Sequence, residues 1–233
     1  MMNGQDSDRR KWTVTGIAGR SAEVVRSEGV KSLWFRILGE LVYRRLVLFS
    51  CRQERLPPGL PGSAGLTLAT IADSERDAYE RFRGGGIDCR RLLQSGKRCW
   101  VLRSGSEIVS SCWTATDFAE IPYLGLRIRL APGQVYLFDT YTAPACRGRS
   151  HASRLVAELA RTCLQQGERA VISAVLPENR GGMTLFGRLG FRQAGVVGYF
   201  GIGPWRREFC RSAIEPDEPG GKRFPRLADG KTG

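Results

Sequence analysis

The sequence predicts an α/β fold in which a mixed sheet is flanked by helices. Short apolar segments that resemble strands alternate with segments of helical periodicity. A predicted hairpin comes early in the chain, and strand–helix–strand units follow it. Apolar residues make up 42% of the 233 residues, which is enough for a core. The chain therefore has room for one domain of moderate size with additional segments at its ends.

The first half of this domain is predicted from apolar runs and the turns between them. The predicted elements are a strand over 66–71, a helix over 73–82 capped by Asp73 or Ser74, a short helix near 89–93, and strands over 98–103 and 108–116. The turn at 104–106 has glycine at its centre and predicts a hairpin. Residues 117–133, which contain two prolines, are predicted to be an irregular connection.

The second half alternates more regularly between strands and helices. The predicted elements are a strand over 135–142, a helix over 150–166, a strand over 170–175, a helix over 178–189, and strands over 191–202 and 206–211. Leu155, Val156, Leu159, Ala160 and Cys163 recur at helical spacing and predict the buried face of the first of these helices.

The ends of the chain differ from its middle in composition. Residues 1–27 are polar and predicted to be poorly ordered, and residues 213–233 form a charged tail rich in Pro and Gly that is predicted to be flexible. Residues 28–62 are predicted to be a helical extension and linker before a domain over 63–212. The apolar face within 29–48 fits packing on the domain, and with its arginines it also fits an anionic membrane surface. Residues 43–51 alternatively form a strand.

Charge and composition exclude several classes of protein. The net charge of +13 favours polyanionic partners, but no zinc finger, basic zipper or aromatic RNA motif accompanies it, so nucleic acid is not expected as a partner. The sequence has no apolar run of spanning length and no signal peptide, which predicts a cytoplasmic location, in solution or peripheral to the membrane. A single histidine and seven scattered cysteines argue against a metal site or a disulfide framework.

The segment after the strand at 135–142 carries the chemical signal. Small residues and two arginines join this strand to the following helix, in the order Arg147, Gly148, Arg149, Ser150, His151, Ala152 and Ser153. Free N–H groups and the helix dipole make such a helix N-terminus an anion-binding device. A plain connection between strand and helix has the same outline, so the turn alone leaves both interpretations open.

Two motifs in this half of the chain resemble those of the GCN5-related N-acetyltransferases, the GNAT superfamily. Pro144, Arg147 and Ala152 match its acyl-CoA motif, V-x-P-x-x-R/Q-x-x-G-x-G/A, although the central glycine is Ser150 here. A second motif, N-x-x-A-x-x-L-Y-x-x-x-G-F, is matched by Asn179, Leu185, Gly190 and Phe191. The two motifs are about 30 residues apart in the expected order, and the resemblance covers about residues 65–211.

The resemblance implies an acyl-CoA site, with acetyl-CoA or another acyl-CoA as co-substrate and no metal. Two parallel strands would separate near Thr142 and Ile172, and main-chain groups of Tyr141 and Thr142 would hold the pantetheine and the thioester. The turn would bind the pyrophosphate through the N–H groups of Gly148, Arg149, Ser150, His151, Ala152 and Ser153, with Arg147 adding charge. Asn179 would face the cofactor arm, or cap its own helix.

The sequence indicates the general acid and the general base of such a reaction less directly than it indicates the acyl-CoA site. Asp139 is a candidate base because it stands alone in an apolar strand, where burial raises a carboxyl pKa; a structural aspartate is the alternative. Phe186 lies in the cofactor-binding segment where many family members have a proton-donating tyrosine. Tyr199, Tyr141 or solvent would then supply the proton.

The expected function is therefore transfer of an acyl group to a small-molecule amine or precursor. The alternative is a non-catalytic member of this fold that binds CoA or a partner, since Ser150 and Phe186 depart from the family pattern.

Overall fold

Two β-sheets organise the part of the chain that the computed structural model describes, which is residues 42–55, 65–85, 87–212 and 226–227. The strands are β1 Tyr43–Cys51, β2 Leu66–Thr70, β3 Arg98–Ser104, β4 Glu107–Ala115, β5 Phe118–Ile121, β6 Leu126–Arg129, β7 Gln134–Thr142, β8 Ala170–Val175, β9 Arg192–Phe200, β10 Arg207–Ser212 and β11 Arg226–Leu227. The helices are α1 Arg76–Arg83, α2 Cys89–Gln94, α3 His151–Gln165 and α4 Arg180–Arg188.

The larger sheet has eight strands in the order β10-β9-β1-β8-β7-β4-β3-β2. Strands β2, β3, β4 and β7 are joined in antiparallel pairs, whereas β7 and β8 run parallel. A parallel pair requires a crossover connection, and α3 provides it. The predicted mixed sheet flanked by helices is therefore confirmed.

Alternating side chains of β3 show that this sheet is covered on both faces. Trp100 and Leu102 belong to one buried cluster, together with the inner face of α3. Cys99 and Val101 point to the opposite face and belong to a second cluster with Tyr79 of α1. The predicted buried face of α3 is confirmed, since its members are between 0% and 4% exposed.

The described residues divide into two compact units. The larger one holds residues 45–55, 65–85, 87–198, 208–212 and 226–227. The smaller one holds residues 42–44 and 199–207, and in it the N–H of Gly201 donates to the carbonyl of Val42 at 2.7 Å.

The helix predicted over 29–48 does not extend to residue 48, because strand β1 occupies residues 43–51. Residues 43–51 form a strand, as the alternative prediction held, and β1 lies between β8 and β9 in the main sheet. Residues 46–51 are all buried. A strand buried on both faces loses the alternation that distinguishes it from a helix. The sheet thus takes in a segment from before the predicted domain start at 63. Residues 29–41 of the predicted helix lie outside the described residues.

A second correction concerns the connection predicted over 117–133. It contains the antiparallel hairpin of β5 and β6, and β6 also pairs with β11. Leu126 and Ile128 are buried while Arg127 and Arg129 are exposed, but two repeats of alternation are too short a signal beside two prolines.

The start of α1 also differs from the prediction. Neither Asp73 nor Ser74 caps the helix, because residues 73–75 form a 3₁₀ turn that precedes it. The carboxylate of Glu75 accepts a hydrogen bond from the N–H of Ala72 at 3.0 Å instead.

Replacing Leu48 in β1 tests whether this strand is part of the folded core. Leu48 is fully buried, so we expect Leu48→Ala to lower the free energy of unfolding by about 2–5 kcal/mol. Thr67→Ala, at an exposed position of β2, is the matched control and should change the free energy of unfolding by less than about 0.5 kcal/mol. Urea denaturation followed by circular dichroism measures both variants, and equal stability would contradict the placement of β1.

Candidate functional site

A cleft of about 670 Å³ opens where strands β7 and β8 separate. Their parallel pairing runs from Gln134 and Ala170 to Leu137 and Ser173 and then stops. Beyond that point β7 continues along β4, while β8 continues along β1. The Ser173 hydroxyl donates to the Leu137 carbonyl at 3.1 Å and closes the last paired position. The separation predicted from the family resemblance is thus present.

A β-bulge shapes the β7 side of this cleft. Tyr141 pairs with Ser111 and Phe138 with Trp113, so both Asp139 and Thr140 lie opposite Cys112. Asp139 adopts a left-handed conformation with φ of 48°. Such a bulge bends the strand and turns its side chains in a new direction. Asp139 lines the cleft as a result.

The Asp139 carboxylate forms an ion pair with Arg83 at the end of α1. Arg83 Nη2 donates to Asp139 Oδ1 at 3.0 Å, and the guanidinium lies 4.2 Å from the centre of the Tyr141 ring. The Arg83 side chain is 11% exposed and that of Asp139 is 33% exposed. Burial raises the pKa of Asp139 above its ordinary value, and the charge and hydrogen bond of Arg83 offset part of that rise.

Arg83 is a cleft residue that sequence reasoning missed. It is 56 positions from Asp139 in the chain, so no local pattern links the two. The same holds for the second ion pair of the cleft, in which Lys97 Nζ lies 3.5 Å from Glu120 Oε1. Glu120 belongs to β5, within the stretch predicted to be irregular.

Main-chain groups near the end of β7 face the open side of the sheet. The N–H of Ala143 donates to Val109 of β4 at 3.2 Å. Because main-chain groups alternate along a strand, the N–H of Thr142 points away from β4, to the side where β8 has departed. The Thr142 carbonyl accepts a hydrogen bond from Arg147 Nε at 3.3 Å, and the Tyr141 carbonyl accepts one from Ser110 Oγ at 2.8 Å.

The turn after β7 presents a row of main-chain N–H groups. Residues 144–146 form a 3₁₀ turn, and α3 begins at His151. Within the described part of the chain, the N–H groups of residues 148–153 donate no hydrogen bond to a backbone carbonyl. Gly148 has φ of 77° and Ser150 has φ of 60°. Two left-handed residues spaced two apart curve the turn, and such a concave row of N–H groups binds anions.

His151 contributes little charge to this turn. Its side chain is partly buried, and Nδ1 has no hydrogen-bond partner among the described residues. Burial lowers the pKa of His151 below its ordinary value, and the nearby Arg149 and Arg154 lower it further. The imidazole is therefore neutral at pH 7, and the positive charge of the turn comes from arginine.

The other wall of the cleft carries Asn179 and Phe186. Asn179 Oδ1 accepts the N–H of Gly182 at 2.9 Å, so it caps α4 while also lining the cleft. Phe186 is 6% exposed, and its ring is stacked on Phe49 with the centroids 5.7 Å apart. Ala152, near the start of α3, lines the cleft as well.

Tyr199 lies near the end of β9, within the smaller unit. It is buried, and the guanidinium of Arg206 lies 3.7 Å from the centre of its ring. Asp139, Asn179, Phe186 and Ala152 are the predicted site residues that share the cleft.

The described residues contain no group of three or more His, Cys, Asp or Glu side chains that could hold a metal ion. Five of the seven cysteines are buried, and none forms a disulfide. No helix among the described residues is long and apolar enough to cross a membrane.

Comparison with known proteins identifies the family. The sequence profile of the acetyltransferase (GNAT) family matches residues 68–191, more than half of the chain. The chain therefore belongs to the GNAT acetyltransferase family. The comparison with curated proteins found no match.

Solved structures with a similar fold include several acetyltransferases. A GCN5-related N-acetyltransferase from Kribbella flavida is 16% identical, with a TM-score of 0.46 over 71% of this chain and 60% of that one. One from Sphaerobacter thermophilus is 20% identical, with a TM-score of 0.46 over 69% and 53%. An aminoglycoside N-acetyltransferase in complex with CoA is 18% identical, with a TM-score of 0.43 over 54% and 91%. The chain thus spans less than two thirds of the length of the Kribbella flavida and Sphaerobacter thermophilus proteins.

The single histidine of the chain makes its titration directly measurable. We expect the His151 imidazole to titrate below 6.5 in the folded protein, because burial and two arginines disfavour its protonation. Arg149→Gln should move the midpoint upward, and the chain unfolded in urea should return to the ordinary value. Since the unfolded chain then binds more protons, stability should fall as the pH drops below about 6.5. Proton NMR measures the midpoint, and a value at or above 6.5 would contradict the description of the turn.

Proposed function

We propose that this protein transfers the acetyl group of acetyl-CoA to an amine by direct attack, without a covalent enzyme intermediate. The observation that carries the proposal is the row of N–H groups at residues 148–153, placed beside the opening between β7 and β8. Membership of an acetyltransferase family supports the same chemistry.

The residues of the turn fit a diphosphate. Gly148 has open space where a side chain would begin, so a phosphate oxygen could approach the backbone there. The N–H groups of residues 148–153 would hold the pyrophosphate, assisted by the dipole of α3. Arg149 adds an exposed positive charge, whereas the Arg147 side chain also donates a hydrogen bond to the Thr142 carbonyl.

Bound acetyl-CoA would supply an activated acetyl group as a thioester. The N–H of Thr142 faces the open side of the sheet, where it could donate to the thioester carbonyl oxygen as negative charge develops on it. Asn179 and Phe186 would form the opposite wall, beside the pantetheine arm. The main chain of Tyr141, which was expected to contact the co-substrate as well, alternates with that of Thr142 and points toward β4, so we propose no main-chain contact there.

Asp139 is the proposed general base. It lies at the bulge, in the cleft, with one carboxylate oxygen held by Arg83. An amine with a pKa near 10 is protonated at pH 7, so a carboxylate of raised pKa is suited to removing its proton. Phe186 has no hydroxyl to protonate the leaving thiolate, and we propose Tyr141 or solvent for that step; Tyr199 belongs to the smaller unit and does not line the cleft.

A second candidate function is binding without chemistry. Ser150 replaces a glycine of the family motif and Phe186 replaces a tyrosine, and both departures fall in the segments proposed to hold the co-substrate. A protein of this kind would bind acetyl-CoA but release no thiol with any amine.

Substitutions at Ser150 test the turn by calorimetry with acetyl-CoA. Ser150→Gly should retain affinity, because glycine adopts a positive φ without strain. Ser150→Val should lower affinity about tenfold or more, since a β-branched side chain is strained at this φ. Ser106→Val, in the exposed turn between β3 and β4, is the matched control. Sub-millimolar acetyl-CoA that fails to bind folded wild-type protein would reject the proposed site.

The pH dependence of turnover tests the base. Thiol release with a panel of amines should fall on the acid side as Asp139 becomes protonated. Asp139→Asn should lower kcat by about 10²–10⁴-fold and remove this acid limb. Arg83→Gln should move the limb to higher pH, because it deletes the charge that lowers the pKa of Asp139, whereas Arg83→Lys should move it less.

Controls separate the two candidate functions. Cys146 and Cys210 are partly exposed, so a reaction without amine is the required blank for protein thiols. Acetyl-CoA binding with no amine-dependent thiol release would favour the binding module. An unchanged acid limb in Asp139→Asn would exclude Asp139 as the base.

A further inference from the structure

Among the described residues, the exposed large hydrophobic side chains are concentrated in the smaller unit. Five large hydrophobic residues are exposed in the described part of the chain, and four of them belong to this unit. They are Tyr43 at 44%, Phe200 at 51%, Ile202 at 58% and Trp205 at 82% exposure. Scattered single residues of this kind are ordinary, but a cluster marks an interaction surface.

The backbone fixes the loop that presents three of these side chains, which we call the apolar loop (residues 200–205). Gly201 has φ of 100°, and a side chain there would collide with the Trp205 carbonyl oxygen. Its N–H donates to the Val42 carbonyl at 2.7 Å, and the N–H of Trp205 donates to the Ile202 carbonyl at 3.2 Å. The loop is therefore held in a defined turn with its apolar side chains outward.

The charge of the same unit is entirely positive among its described residues. Residues 42–44 and 199–207 include three arginines, Arg44, Arg206 and Arg207, and no Asp or Glu. Apolar and aromatic side chains beside arginine match the two layers of a membrane surface, where rings and aliphatic groups reach the acyl boundary and cations meet anionic headgroups.

We propose that the apolar loop docks this protein on an anionic lipid bilayer, with Ile202 and Trp205 inserted at the interface. Ile202 favours lipid over nucleic acid, because an exposed aliphatic side chain offers no ring on which a base could stack. The net charge of +13 adds attraction toward such a surface. This inference does not depend on acyl transfer. The apolar loop itself lies outside the amphipathic segment predicted over 29–48, of which Tyr43 and Arg44 belong to the same unit and residues 29–41 lie outside the described residues.

Co-sedimentation of the full chain with vesicles tests the proposal. We expect binding to vesicles of phosphatidylcholine with phosphatidylglycerol, weaker binding to phosphatidylcholine alone, and loss of the difference at high salt. Ile202→Ser with Trp205→Ser should reduce binding to anionic vesicles at least about tenfold, because it removes the two most exposed apolar side chains of the apolar loop. Tyr123→Ser, an exposed aromatic of the larger unit, is the matched control and should bind as wild type does.

Fluorescence quenching by brominated lipid locates the contact. The emission of Trp205, obtained as the difference between wild type and Trp205→Phe, should be quenched by brominated acyl chains. Several outcomes would overturn the proposal: no vesicle binding by wild type, equal binding to neutral vesicles, or a double variant that binds as wild type does. It is also overturned if the double variant loses self-association while vesicles have no effect, which would assign the loop to a second copy. Binding of single-stranded DNA in place of vesicles would overturn it as well.

Discussion

The separation of β7 from β8 is the constraint on which the rest of the site depends. A parallel pair that stays closed satisfies its own main-chain groups, and it leaves no edge for a ligand. Here the pairing ends at Leu137 and Ser173, while each strand keeps its other neighbour. The sheet therefore remains continuous on both sides of an opening, and the N–H groups beyond Leu137 that do not pair with β4 point into a cleft instead of at a strand.

Two left-handed residues adapt the chain to this opening, and neither is glycine. Asp139 at the bulge and Ser150 before α3 both have positive φ. A non-glycine residue in this conformation costs about 1–2 kcal/mol, although short polar side chains tolerate it best. Such strain persists when the surroundings hold the residue in place. At Asp139 the Arg83 ion pair is the contact that does so, and that contact also moderates the pKa of the carboxyl.

Much of this arrangement could be predicted because its signals are local. The strand over 134–142, the amphipathic face of α3 and the turn between them occupy about 30 consecutive residues, where periodicity and small residues are informative. Arg83 could not be predicted, since it reaches Asp139 only through the packing of α1 on the sheet. The sequence of β1 was ambiguous for a different reason. Its residues are buried on both faces, so apolar and polar residues do not alternate, and the sequence was compatible with a strand over 43–51 as well as with the helix predicted over 29–48.

The position of β1 also affects the cleft itself. Because β1 lies between β8 and β9, the far side of β8 is paired with β1 up to Val175, so the main-chain groups on that side stay hydrogen-bonded where β8 leaves β7. Phe49 of β1 stacks on Phe186, so the same strand supports the aromatic wall of the cleft. A tyrosine hydroxyl at position 186 would have to be accommodated against this stack and against Phe191, whose ring lies 5.0 Å away in an edge contact. The side chain at 186 therefore serves packing in this chain, and the proposed reaction would need another group to protonate the leaving thiolate.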